Sequence, residues 1–334
     1  MTTMNQKQRS SRRKLIIIVI PVLLVIVSFY GLTYGSVPIS LRDIWAVFTN
    51  GGQPIHEKII MNLRLPRVLI GILTGACLAV SGALLQGVMR NPLADPGIIG
   101  VSAGGGLAAV ITMIVLPQFS YLLPPLAFVG SFATALLIYG LAWDKGSSPL
   151  KIILAGVAIN ALLGAVMNGI MVFYSDRVQA VLPWLAGGLS GRSWHHLGFM
   201  APYAIIGLLL SLLTIKSANL LLLGDDSAKL LGMKIEMHRV LLILLAAFLS
   251  GIAVSVAGLI GFVGLVVPHA IRLLTGEDYR YLLPLSMLGG AVLVVLSDTI
   301  ARSWFDPLEL PVGILLACLG APFFLYLLKK RRIV

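Results

Sequence analysis

Apolar runs of roughly 20 residues, the length a helix needs to cross about 30 Å of hydrocarbon, recur from one end of this 334-residue chain to the other. Nothing in the sequence constrains the fold more. Inside a bilayer no water reaches the backbone, so a spanning chain must close its hydrogen bonds within helices or within a barrel. A barrel would show alternating segments of about ten residues, and these are absent. Charged residues make up 11% of the chain, against about 25% in soluble domains, and mean hydropathy is +0.97. The expected class is all-α: one polytopic membrane domain over residues 1–334.

Spans are predicted near residues 15–34, 65–89, 94–116, 121–142, 150–173, 198–216, 239–257, 259–274, 282–303 and 311–328. The first follows the basic stretch "MTTMNQKQRSSRRK", as a secretory signal would. Its apolar core runs past about 20 residues, however, and no small-residue cleavage site follows closely, so it reads as an uncleaved span. The run from Val240 to Ile271 is too long for one crossing and too short for two ideal ones. Its "VAGLIGFVGLVVPH" places Gly258, Gly261, Gly264 and Pro268 as helix punctuation. Two short crossings there give about ten spans with both termini cytoplasmic. Eighteen of the 25 lysines and arginines then lie inside, leaving Arg42, Lys58, Arg64, Arg67, Arg177, Arg192 and Arg302 outside. That bias is the one membrane insertion favours. It also accounts for the net charge of +12 without nucleic acid.

Two helix faces stand out. Gly71, Gly75, Ala79, Ala83 and Gly87 form a ridge of small residues, which lets a neighbouring backbone approach closely where lipid gives helices no hydrophobic reason to associate. Gly156, Asn160, Gly164 and Asn168 share another face. Amides are costly against hydrocarbon, so that face meets either another helix or the wall of an aqueous pathway. Between spans, "SLRDIWAVF" reads as an interfacial helix capped by Ser40, with Asp43 three residues on. "VQAVLPWLAGGLSG" reads as a second outer helix broken by glycines.

Several chemistries are disfavoured. Cys77 and Cys318 lie inside apolar runs and have no metal-ligand spacing. His56, His195, His196, His238 and His269 show no HExxH or comparable pattern. No acid lies near the middle of a predicted span. Asp298 comes closest, with Arg302 one turn later as its expected partner. No GxxxxGK[ST] loop is present, so ATP chemistry of that kind must come from elsewhere. Yet "LLLGDDSAKLLGMKIEMHR" puts a charged helix in a predicted cytoplasmic loop, with Leu230, Leu231 and Met233 on its other side. It is either an ordinary solvated helix or a handle for a soluble partner.

The motifs "LRLPR" at 63–67, "AVSGALLQGVMRNPLADPGIIGVSAGGG" at 79–106, "LGDDSAKLLGM" at 223–233, "GFVGLVVPHAIRLLTG" at 261–276 and "LELPVGILLACLGAPFFLYLLKK" at 308–330 occur in that order. Through them the chain resembles the FecCD-type permeases of ABC importers for iron–siderophore complexes and vitamin B12. The resemblance implies a coupling segment at about 217–238. Gly224, Asp225, Asp226, Ala228, Lys229, Leu231 and Gly232 would dock in a cleft of a separate ATPase, with Ala228 and Leu231 as apolar anchors. It implies that Arg64, Arg67 and Arg302 form an external rim receiving acidic residues of a substrate-binding protein. It assigns the face of Gly156, Asn160, Gly164 and Asn168 to a pathway between two permease subunits, identical or homologous. The subunit itself would be non-catalytic and bind no cofactor, with ATP and Mg held by the partner. The implied cargo is an iron(III)–siderophore, with vitamin B12 or haem as alternatives within the type. A secondary active transporter and a membrane-embedded enzyme are the readings from other classes.

Overall fold

The computed structural model describes residues 6–35, 37–49, 51–143, 148–305 and 308–329. Lys145 and the basic residues 330–332, used above to orient the chain, lie outside the described residues. Helices cover Gln6–Thr33 (α1), Leu41–Phe48 (α2), Pro54–Lys58 (α3), Leu65–Met89 (α4) and Val101–Val110 (α5). They continue with Leu123–Ala142 (α6), Pro149–Phe173 (α7), Val178–Leu185 (α8), Trp194–Leu213 (α9) and Ile215–Leu222 (α10). The last are Asp225–Leu230 (α11), Ile235–Ala257 (α12), Val263–Thr275 (α13), Tyr279–Ser303 (α14) and Val312–Lys329 (α15).

Among the described residues, seven helical stretches are long and apolar enough to cross a bilayer. Three shorter apolar ones, Val101–Val115, Val263–Thr275 and Val312–Tyr326, bring the set to the ten that the sequence predicts. One begins well later than predicted. The span expected from residue 94 starts at Val101, because Asn91-Pro92 and Asp95-Pro96 cannot continue a helix. Pro96–Ile99 instead forms a 3-10 turn, whose Gly97 N–H donates to the Asp95 carboxylate at 2.9 Å. The run Val240–Ile271 divides into two apolar helices at Gly258, as expected, but unequally. Helix α12 has 23 residues and α13 has 13. At about 1.5 Å per residue only α12 matches the roughly 30 Å core.

Helix α4 is the axis of the bundle. Nearly every residue from Pro66 to Met89 is buried, against α14, α12, α13 and α9. The small-residue ridge makes this possible. A Cβ added at Gly75 would lie 2.1 Å from the Gly290 carbonyl oxygen, and one added at Gly290 would lie 2.1 Å from that of Gly75. The two backbones therefore touch. In lipid such van der Waals contact replaces the hydrophobic effect as the force between helices.

Three irregular segments meet beside this axis. Gly188 N–H donates to the Ala257 carbonyl at 2.8 Å, Leu259 N–H to that of Trp184 at 3.4 Å, and Gly313 N–H to that of Gly187 at 2.9 Å. The end of α8, the break between α12 and α13, and the start of α15 are thus knit through their backbones. At the end of α4 that begins with Arg64, α2 lies as predicted. The Ser40 hydroxyl accepts from Asp43 N–H at 3.1 Å and donates to the Asp43 carboxylate at 2.6 Å. Ile44 and Val47 face inward, and Trp45 is exposed.

Gly75→Val should drive a branched side chain into the Gly290 backbone, which cannot yield as a flexible side chain would. The expected cost is about 1–3 kcal/mol, read as a lower midpoint of thermal unfolding in detergent. Gly140→Ala, where an added Cβ meets nothing within 4 Å, should stay within about 0.5 kcal/mol.

Candidate functional site

Helix α11 is short because glycines bound it: Gly224 has φ +99° and Gly232 φ +78°, both in the region that favours glycine. Asp225 and Asp226 stand in its first turn and Lys229 in its last, the order its dipole prefers. Its two apolar sides differ sharply. Ala228 is 0% exposed and Met233 is buried, whereas Leu230 is 89% and Leu231 62% exposed. This corrects one assignment: Ala228 packs into its own subunit and has no surface to offer a partner cleft. The exposed apolar side chains here are Leu230 and Leu231. Asp226, Lys229 and Gly232 are exposed with them.

Asp225 faces the body of the subunit. Its carboxylate accepts from Arg239 Nη2 at 3.0 and 3.1 Å, and it is ion-paired with Arg90. Arg239 also donates to Glu236 at 2.8 Å. Arg90 Nε donates to the Leu221 carbonyl at 3.2 Å, at the end of α10. In the sequence Arg90 is only one position of the motif at 79–106. The i,i+3 spacing of Glu236 and Arg239 was visible in the chain, but the pairing of residues 90 and 225 exists only in three dimensions.

The three candidate rim arginines lie together at the other end of α4, and all are buried. Arg67 grips Asp298 with two donors, Nε at 2.8 Å and Nη2 at 3.0 Å, and reaches Glu309 with Nη1 at 2.9 Å. Arg302, the expected partner of Asp298, stands 3.9 Å from it and donates instead to the Gly31 carbonyl. Arg64 donates to the carbonyls of Leu32 at 2.6 Å and Thr33 at 2.8 Å, and to that of Val37. Most of these guanidinium donors are therefore committed to internal acceptors, while Arg302 Nε is buried without a hydrogen-bond partner. Glu309 is the most open member of the cluster. Partial burial pushes its carboxyl pKa up, but Arg67, with a hydrogen bond from Ser190, holds it below the ordinary value. The Arg67–Glu309 pair is thus ionised at neutral pH.

The face of Gly156, Asn160, Gly164 and Asn168 divides. A Cβ on Gly156 would sit 2.0 Å from the Ile98 carbonyl oxygen, and Asn160 Nδ2 donates to the Gly97 carbonyl at 3.0 Å. Gly156 is buried against the Pro96–Ile99 turn and Asn160, half-exposed, is tied to it. Gly164 has nothing within 4 Å of an added Cβ, and Asn168 is exposed. Beyond them most of α7 is bare, including Leu154, Val157, Leu162, Val166 and Phe173.

The comparisons agree with this geometry. The sequence profile of the FecCD transport family matches residues 23–330. The chain is 41% identical to the Fe(3+)-citrate import system permease protein YfmD of Bacillus subtilis (strain 168), over 98% of each chain. It is 41% identical to the hemin transport system permease protein HmuU of Yersinia pestis, over 93% of this chain and 94% of that one. It is 43% identical to the cobalamin import system permease protein BtuC of Halobacterium salinarum, over 98% and 99%. A solved structure described as an inward-facing metal-chelate type ABC transporter superposes with a TM-score of 0.84 at 32% identity, covering 95% of this chain and 99% of that one. The chain belongs to the FecCD transport family and is a multi-pass permease subunit of the ABC importer type.

Proposed function

We propose that this permease carries an iron(III)–siderophore complex through a pathway between two permease subunits, driven by ATP hydrolysed on separate partners. Leu230 and Leu231, held outward on a short glycine-bounded helix, carry the reading of an external motor. Two exposed leucines on a charged helix suit an apolar cleft in a soluble partner. ATP binding would draw two ATPases together, and α11 would pass that motion to the spans. The exposed side of α7, with Gly164 and Asn168, would face the pathway and the second subunit. The iron–chelate reading is supported by likeness to permeases named for ferric citrate and hemin import. Likeness to one named for cobalamin makes a corrinoid the second reading. The decisive measurement is uptake into proteoliposomes holding the permease, its ATPase and its binding protein, with radiolabelled ferric siderophore or cobalamin outside. Uptake should require ATP and survive a protonophore. Uptake without ATP that collapses with the proton gradient would mark a secondary transporter.

Leu230→Asp combined with Leu231→Asp should weaken ATPase association roughly tenfold or more, because each change places a carboxylate against an apolar cleft. Co-purification from detergent measures it. Normal association would remove α11 from the interface.

The arginine cluster is the proposed seat of the substrate-binding protein. Most of its donors are already engaged and the free Arg302 Nε is buried, so an incoming carboxylate would have to replace an internal one, and Glu309 is the most open to exchange. Glu309→Gln, which removes the competing charge, should therefore tighten docking severalfold, by roughly 0.5–1 kcal/mol for a partly solvated pair. Weaker docking, measured by surface plasmon resonance on nanodiscs, would exclude this exchange.

A further inference from the structure

We propose that Arg90 and Asp225 form a clasp that makes α11 and the end of α4 move as one body. Arg90 is then a positioning residue through which displacement of α11 reaches the pathway helices. The proposal rests on the importer reading above and names the joint that reading requires.

Six residues are too few for a helix to hold its own shape or place, so α11 is as rigid as its attachments. Its own Ala228 is buried against the subunit, and the Asp225 carboxylate is gripped from two sides. Arg239 holds it to α12 at 3.0 and 3.1 Å, and Arg90 holds it to α4. Arg90 is the C-cap of α4 with φ 46°, a left-handed conformation uncommon for a residue with a side chain. That backbone turn aims its guanidinium at both Asp225 and the Leu221 carbonyl. Three elements, α4, α10 and α11, therefore meet on one side chain.

From this joint the connections continue without a gap. One turn back along α4, the Gln86 amide donates to the Gly264 carbonyl at 3.1 Å, in the first turn of α13. The Gln86 carbonyl accepts from Arg272 at 3.0 Å, near the other end of α13. Tyr279 OH donates to the Ala83 carbonyl at 2.8 Å and ties in α14. Helix α13 starts at Phe262, also left-handed at φ 67°, whose side chain lies 2.6 Å from where a Cβ on Gly320 of α15 would be. Rigid elements joined by specific contacts can carry coupling between distant sites. Here they run from Asp225 through the last turn of α4 and along α13 to α15.

Arg239 is a poor place to cut the chain, because it is buried and its loss would strand Asp225 and Glu236. Arg90 is the better place, because its side chain is 40% exposed and its removal leaves the Arg239 pair intact. The test uses the whole complex in nanodiscs, comparing ATP hydrolysis with and without saturating cognate binding protein. Arg90→Met should keep basal hydrolysis and ATPase association but lose stimulation by the binding protein roughly fivefold or more, the scale of coupling between distant sites. Arg90→Lys, which keeps a cation beside Asp225, should retain most of the stimulation. A merely structural role would instead lower assembly and basal hydrolysis together. Equal stimulation of parent and Arg90→Met overturns the clasp alone. A parent complex that hydrolyses ATP but ignores its binding protein overturns the importer reading itself.

Discussion

Hydrocarbon offers the backbone no hydrogen bonds and gives helices no hydrophobic reason to associate. Much of this fold follows from meeting both conditions at once. Where α4 crosses the bundle, cohesion comes from backbones in direct contact, as at Gly75 and Gly290. Where the chain breaks, the freed groups must find partners inside the protein. The break after α12 succeeds because the end of α8 lies against it and exchanges carbonyl and N–H groups with it, while the same end of α8 accepts from Gly313 of α15. Glycine serves both tasks by the same means: it removes the side chain that would hold the backbones apart.

The helical class and the places of the ten apolar helical stretches were legible because hydrophobic length is a one-dimensional property. The ridge from Gly71 to Gly87 was legible as well, since four-residue spacing puts those positions on one side of any helix. What the sequence could not show was which neighbour each side would meet. Gly156 and Asn160 share their periodicity with Gly164 and Asn168, yet the Pro96–Ile99 turn covers only the first pair. Ala228 and Leu231 are three residues apart on an apolar side, but a helix of six residues has room to bury one and expose the other. The partners of Asp298 illustrate the same limit. Arg302 is its neighbour along α14, but the bidentate grip comes from Arg67, 231 positions away.

Both charged clusters sit at ends of α4. Arg64 and Arg67 open it, and Arg90 closes it. Buried or half-buried ion pairs of this kind contribute little net stability, because desolvation offsets much of the attraction. They do define geometry, since a bidentate guanidinium accepts few orientations of its carboxylate. A helix packed on nearly all sides and clasped at both ends cannot bend or slide independently of what it holds. Its position can change only together with its partners.

That constraint bears on how force could cross the membrane. A subunit with flexible joints would dissipate a push on α11 in local rearrangement of the loop from Leu223 to Lys234. Here the loop is fastened through Asp225 to two spans, and the exposed leucines lie at its free end. A load applied at Leu230 and Leu231 therefore acts on α4 and α12 before it can deform α11. Helix α4 in turn holds α13 through Gln86, and α13 rests on α15 through Phe262. The softest surface left to respond is the one that packs against least within the subunit, the open side of α7 and the exposed part of α15. Under the proposed function, rigid joints on the inside would leave motion to these open faces, where a second subunit and the pathway between subunits would lie.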